Sequence, residues 1–357
     1  MAQIKHSRLS VSLIISVFAF PILLSSCLSV VKEKQETYGA PYYLQHENIT
    51  VGILPSVGGL VVYLADETGE NMLLSDSSLW FEEADRLPRM GSHYNPRLYN
   101  GHTVWLGPQT AWWAQQNVDP SLTRTRAQWP PDPYLAFGRY TIVASSDSSV
   151  CLQSPRSPFS GVQMTKEIMI SAPGKLRFIA TIRNIREEPV SWDIWMNTRL
   201  DGKARVYVPV AGIQNIKRVS AGQGKNSQAI SYISKDGYIS FVPQFPGPDK
   251  KNRFTKLYLY PEAPWIAAFT KNHLFIKRFH SHPEASIHPE QALVELYNCM
   301  STDPGECVLE LEHHGPYKEL QPGEQLSESE EWELLPYHGS REISAEIEFL
   351  NEKTGKN

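Results

Sequence analysis

Hydrophobic positions along the chain recur in short runs rich in Val, Ile, Tyr, Phe and Thr, and Gly, Pro, Asp and Asn clusters separate them. "NITVGIL", "GGLVVYLA", "AFGRYTIVA", "LRFIATIRN", "YISFVPQ", "FTKLYLY", "WIAAFT" and "HLFIKRFH" read as strands. "DETGEN", "SAPGK", "LDGKA", "SKDGY", "TDPGE" and "QPGE" read as the turns between them. No stretch past the N-terminus is read as sustaining a helical period. The pattern predicts an all-β fold, a large antiparallel β-sandwich.

The N-terminus breaks this pattern. Lys5 and Arg8 precede the apolar run "VSLIISVFAFPILLSSC", which is short for a membrane span and fits a secretory signal. "LSSC" resembles a bacterial lipobox, which makes Cys27 the expected lipidated residue. Leu28 follows it, with no aspartate to suggest inner-membrane retention. The expected place is the cell envelope, at the outer membrane facing the periplasm, with the membrane reached through acyl chains on Cys27. The expected organisation is a signal peptide over 1–26, a tether over 27–42 and one β-sandwich domain over 43–357.

Removing 1–26 takes away two positive charges and moves the formal charge from -4 to -6. No basic cluster suggests a nucleic-acid partner. Past Cys27, Cys299 and Cys307 flank "TDPGE" and could face each other across a hairpin as a disulfide, leaving Cys151 single. No metal is expected. The cysteines lack zinc-like spacing, and His280, His282 and His288 in "HSHPEASIH" match no familiar site. With no phosphate-cradling Gly-rich loop and no nucleophile elbow, no cofactor is expected either.

The segment from Ser75 to Pro133, rich in Trp, Pro, Asn and Arg, reads as long loops over one end of the sheets, and such loops tend to carry function. Within it, "NGHTVWLGPQTAWW" gathers Trp105, Trp112 and Trp113 beside Asn100, His102 and Gln109. Indole faces stack on the C–H face of a pyranose, and neutral polar groups suit its hydroxyls. Trp105, in a local strand, is the expected core member, and one of Trp112 and Trp113 is expected to face a ligand. Arg97 and Asp132 are candidates for the same rim.

Alternation along "ECVLELEHH" puts Glu310, Glu312 and His314 on one face, with Leu309, Leu311 and His313 on the other. Two neighbouring carboxylates push one pKa upward. Along "HLFIKRFH", Lys277 could reach an anionic group, and His280 could supply an acid.

"CVLELEHHGPYKELQPGEQLSESEEWEL" resembles the closing part of the galactose mutarotase (aldose 1-epimerase) superfamily. There a strand ending in Leu-Glu carries the catalytic base, and a Leu-x-Pro-Gly-Glu turn follows. "FIATIRNIREEPVSWDIWMNT" resembles a strand pair of that superfamily, and "GHTVWLGP…WPPDP" with "LFIKRF" resembles a lipoprotein-rich branch of it. The resemblance implies a carbohydrate ligand in a cleft on one sheet and Glu310 as base. The position of the general-acid histidine falls on Trp195 or Met196, neither of which serves as an acid. The acid is then sought at His102 or His280. Epimerase, mutarotase-like or eliminating chemistry stands against glycan binding without turnover and against a structural or assembly role.

Overall fold

The computed structural model describes residues 40–81, 99–210, 212–222 and 227–356. Among them two large sheets form a β-sandwich. The eleven-stranded sheet runs in the order Tyr42–His46, Ile49–Leu54, Leu60–Ala65, His102–Gly107, Val190–Asp201, Val308–His314, Val294–Met300, Asn252–Leu259, Ile216–Ala221, with two short strands pairing off this path. The ten-stranded sheet contains Val162–Ala172, Lys175–Asn184, Gln325–Pro336, His273–Phe279 and Trp265–Phe269. Every strand run read from the sequence overlaps a strand of one of the two sheets, "AFGRYTIVA" through Thr141–Ser145 and "YISFVPQ" through Tyr238–Phe241 of the ten-stranded one.

The sandwich forms because alternation along its long strands gives each sheet an apolar face. Lys175–Asn184 alternates exposed or half-buried with buried positions along its whole length. Val104, Met196, Leu200, Leu309 and Leu311 from one sheet join Met164, Phe178, Ile182 and Trp332 from the other in one core. Burial of such side chains contributes ~1.5–3 kcal/mol each before the chain's ordering entropy is counted.

Two readings are corrected here. Ile343–Thr354 is a helix of 12 residues, closed by Gly355 at φ 71°. Its buried Ile347 and Leu350 stand with Ile343 at helical spacing and pack on Tyr207, Phe269 and Tyr337. Cys299 and Cys307 are not joined by a disulfide. Cys299 lies opposite Val308 in the ladder, so Cys307, one residue earlier, falls out of register with it. The Cys307 thiol instead donates to the Ser301 carbonyl at 3.6 Å.

Candidate functional site

The two faces of the eleven-stranded sheet follow from register. His102 lies opposite Thr198, Val104 opposite Met196 and Leu106 opposite Ile194. Leu311 lies opposite Thr198 and His313 opposite Met196. These rows face the other sheet. One residue over, every side chain points outward. Trp105, Trp195 and His314 then make one outward row. Thr103, Asn197, Glu312, Glu295, Tyr258 and Arg218 make a second. Arg199, Glu310, Tyr297 and Lys256 make a third.

The outward rows form a linked patch of charge. Arg199 Nε donates to Glu310 Oε1 at 2.7 Å. Lys256 Nζ bridges Glu295 Oε2 at 2.7 Å and Glu312 Oε2 at 3.0 Å. Trp195 Nε1 donates to Glu312 Oε2 at 2.7 Å. His314 Nδ1 is 2.8 Å from the Gln291 amide and 3.5 Å from Asp193, while its Nε2 is 3.5 Å from Glu295 Oε1. Aromatic rings cap the patch. Trp105 lies under the Arg199 guanidinium at 5.0 Å and edges onto Trp195, Trp112 and Trp129.

Depth sorts these groups. Glu310, Tyr297, Lys256, Tyr258 and Trp105 are half-buried and reach solvent, and Trp129 is 43% exposed above them. Asp193, Glu312 and His314 are fully buried. Several of the deep atoms have no hydrogen-bond partner among the described residues: both Asp193 carboxylate oxygens, Gln291 Oε1, Glu312 Oε1 and His314 Nε2. Each buried polar atom left so costs roughly 1–3 kcal/mol, and such a concentration marks a ligand site more readily than a packed core.

The two neighbouring glutamates titrate apart. Burial alone would raise Glu310, but Arg199, Lys256 and Asn197 outweigh it and hold the carboxyl below its ordinary value. Burial pushes Glu312 up to about 8 against the pull of Lys256, and the charges of Glu310 and Glu295 add to the rise. An ionised and a protonated carboxyl therefore stand side by side at neutral pH.

Of the residues read from the sequence, Glu310 and Glu312 lie in this patch. The others do not join them. His102 points into the sandwich, 2.9 Å from Thr198 Oγ1 and 4.0 Å from Glu330, where burial drives its pKa well down. Lys277 is also between the sheets, 2.5 Å from Glu330 and donating to the Leu311 carbonyl at 3.0 Å. His280 is largely exposed at the end of its strand, 3.2 Å from Glu328. Asp132 is a buried cap that accepts from Tyr134 N at 2.9 Å and Ser157 Oγ at 2.5 Å. Asn100 turns the chain at φ 56° and bridges Ser75, and Gln109 donates to the Gln128 carbonyl at 2.6 Å. Arg97 and Cys27 lie outside the described residues.

The tryptophans reverse their expected order. Trp112 and Trp113 are both buried, donating to the Leu106 and Pro130 carbonyls at 2.6 and 2.8 Å. Trp105, expected in the core, is the half-buried one on the patch. A short 3-10 turn over Gln109–Ala111 breaks the extended chain, so strict alternation does not apply to Trp112 and Trp113. Sequence reading passed over Asp193, Arg199, Lys256, Glu295 and His314 as site residues. A signal existed in "SWDIWMNTRLD", where Asp193, Trp195, Asn197 and Arg199 alternate with Ile194, Met196, Thr198 and Leu200.

The family described as a domain of unknown function, DUF4380, matches residues 42–335. No curated protein matches the sequence. Solved structures share the fold. A candidate aldose 1-epimerase of Escherichia coli K12 superposes with a TM-score of 0.52 at 12% identity, over 84% of this chain and 99% of that one. A galactose mutarotase-like protein from Lactobacillus casei gives 0.50 at 10% identity, over 83% and 100%. A candidate aldose 1-epimerase from Klebsiella pneumoniae gives 0.50 at 12% identity, over 86% and 80%. At these identities the likeness establishes the sandwich and its galactose mutarotase-like type.

Proposed function

We propose that this chain, which belongs to the DUF4380 family and folds like the galactose mutarotase-like proteins, is a cell-envelope lipoprotein that holds a carbohydrate on the outward face of its eleven-stranded sheet. The single observation behind this reading is the patch of deep polar atoms without partners beneath a half-open aromatic rim. A sugar supplies what such a patch lacks: several hydroxyls that both donate and accept, and an apolar ring face for Trp105. Glu310, ionised and within reach of solvent, is the base, and Glu312 keeps its proton at neutral pH as the second proton carrier. Together they would exchange a proton between a sugar hydroxyl and the ring, the class of step behind epimerisation or mutarotation. Anchorage through acyl chains on Cys27 at the outer membrane, facing the periplasm, completes the reading.

A second reading, glycan binding without turnover, is favoured by Trp195. Of Trp195 and Met196, the two positions on which the resemblance lets the histidine fall, Trp195 is the outward one, and its indole is committed to Glu312.

A thermal-shift screen of mono- and oligosaccharides tests the common part, and stabilisation by none of them sinks both readings. Once a ligand is found, Glu310→Gln is expected to abolish anomer exchange or product formation followed by NMR while binding persists. Unchanged turnover removes Glu310 as base, and no turnover in the parent protein leaves binding alone. Palmitate labelling lost in Cys27→Ser tests the anchor.

A further inference from the structure

The deep end of the patch also holds three potential ligand atoms at the spacing of a shared ion. Glu295, Glu312 and His314 sit on two adjacent strands, Glu295 directly opposite Glu312 in the ladder, and all three are buried. One ligating atom from each lies within 4.8 Å of the other two. Lys256 does not fill this spot, because its ammonium touches the Oε2 atoms of the two glutamates. Oε1 of Glu312 and Nε2 of His314 remain without partners among the described residues, and Glu295 Oε1 stands 3.5 Å from His314 Nε2. Two ligands bound at ~2.1 Å to a common tetrahedral ion lie ~3.4 Å apart, so that pair already has the spacing of a shared ion.

We infer that Glu295, Glu312 and His314 form a site for a divalent first-row transition-metal cation of the zinc or manganese kind. Charge and chemistry both favour it. A bound cation displaces the Glu312 proton, and the two carboxylates then beside one ammonium carry a net negative charge that the cation offsets. A mixed oxygen and imidazole set suits zinc or manganese, whereas calcium and magnesium take oxygen. The surroundings of His314 supply the rest. A ligating histidine offers one nitrogen and donates the other N–H to a carboxylate or carbonyl. Nδ1 of His314 faces Asp193 Oδ1 at 3.5 Å and the Gln291 amide at 2.8 Å. With the Gln291 amide turned, its Oε1, otherwise without a partner, accepts that N–H. Nε2 is then the free nitrogen, aimed at the two glutamates. An ion there makes Glu312 a ligand, leaving Glu310 as the patch's base.

The inference does not depend on a sugar. Metal content of the purified protein is measured by mass spectrometry, and the chelator-treated protein is titrated with Zn2+, Mn2+, Mg2+ and Ca2+ by calorimetry and thermal shift. One Zn2+ or Mn2+ per chain is expected, with a rise in Tm, and weak or absent binding of Mg2+ and Ca2+. Glu295→Gln, which keeps shape, and His314→Gln should each weaken binding by about tenfold or more, and Asp193→Asn by about tenfold through the orientation of His314. Circular dichroism checks that each variant folds. Failure of both Zn2+ and Mn2+ to bind the parent protein overturns the inference, as does binding that Glu295→Gln leaves unchanged. Either outcome leaves the sugar screen unaffected, so the two readings fail separately.

Discussion

A lysine whose whole side chain lies inside a sandwich must find a carboxylate or give up its charge. Lys166 takes the second course. Burial lowers its pKa from 10.5 to about 7, and its Nζ donates to the Gly58 carbonyl at 2.6 Å above the Tyr140 ring. Between those two values the unfolded chain holds a proton that the folded chain has released, so stability rises with pH across that window. At ~1.4 kcal/mol per pKa unit the change amounts to a few kcal/mol. Lys166→Met is expected to flatten the rise in urea-derived stability between about pH 7 and 10.5, even though the Gly58 carbonyl loses a donor. An unchanged slope would mean that Lys166 stays charged. The tryptophans give a second contrast at this scale. Trp112→Ala, which empties a core position, should cost ~3–5 kcal/mol in denaturant titration. Trp105→Ala should cost far less, and instead weaken binding of any sugar found in the screen by about tenfold. The reverse order would return Trp105 to the core.

The pair Lys277 and Glu330 joins the two sheets, because Lys277 also reaches the carbonyls of Met196 and Leu311 across the interface. Both are fully buried. Removing one partner strands the other's charge, so Lys277→Met should destabilise by ~3–5 kcal/mol. Adding Glu330→Gln, which removes the stranded charge and keeps an acceptor oxygen for one of the His313 and Trp332 donors, should recover part of that loss. A double-mutant cycle measures the coupling, and additive losses would show that the pair is not one unit. The same strand shows how far alternation reads. Period two along "HLFIKRFH" puts Lys277 with Phe275 and Phe279, and all three are buried. What alternation cannot state is which face meets the other sheet. An apolar companion set marked the inner face here, and the chemistry expected of Lys277 pulled the reading outward. For "ECVLELEHH" the same rule placed Glu310 and Glu312 correctly, because Leu309 and Leu311 left no doubt about the inner side. His314, on the outward row, was passed over because its partners Asp193, Gln291 and Glu295 come from other strands and a loop. Those juxtapositions exist only once the register is set.

At the scale of the molecule, the strand runs and the resemblance carried the sandwich, while the site needed the fold to bring distant segments together. Cys299 and Cys307 add a property of the whole: no disulfide joins them, so reductant should leave Tm unchanged. Acid should not. Glu328 and Glu330 lie inside the sandwich, and burial alone would raise both. His282 and His313 hold Glu328 far below its ordinary 4.5, and Lys277, His102 and His313 do the same for Glu330. A carboxyl depressed in the fold contributes stability that is complete above its unfolded value and is lost as pH falls toward its folded one. Stability should therefore hold down to about pH 5 and drop steeply below about 4.5, as the unfolded chain takes up protons that the folded chain refuses. His313 reinforces the pattern, since Glu328 and Glu330 raise its value and it is a protonated partner in that range. Glu328→Gln removes one of the two depressed acids, and its stability curve between pH 5 and 3 should be shallower than the parent's. A curve with the parent's slope would place the acid sensitivity elsewhere, and release the chain of His282, Glu328, His313 and Glu330 from its role in binding the sheets together.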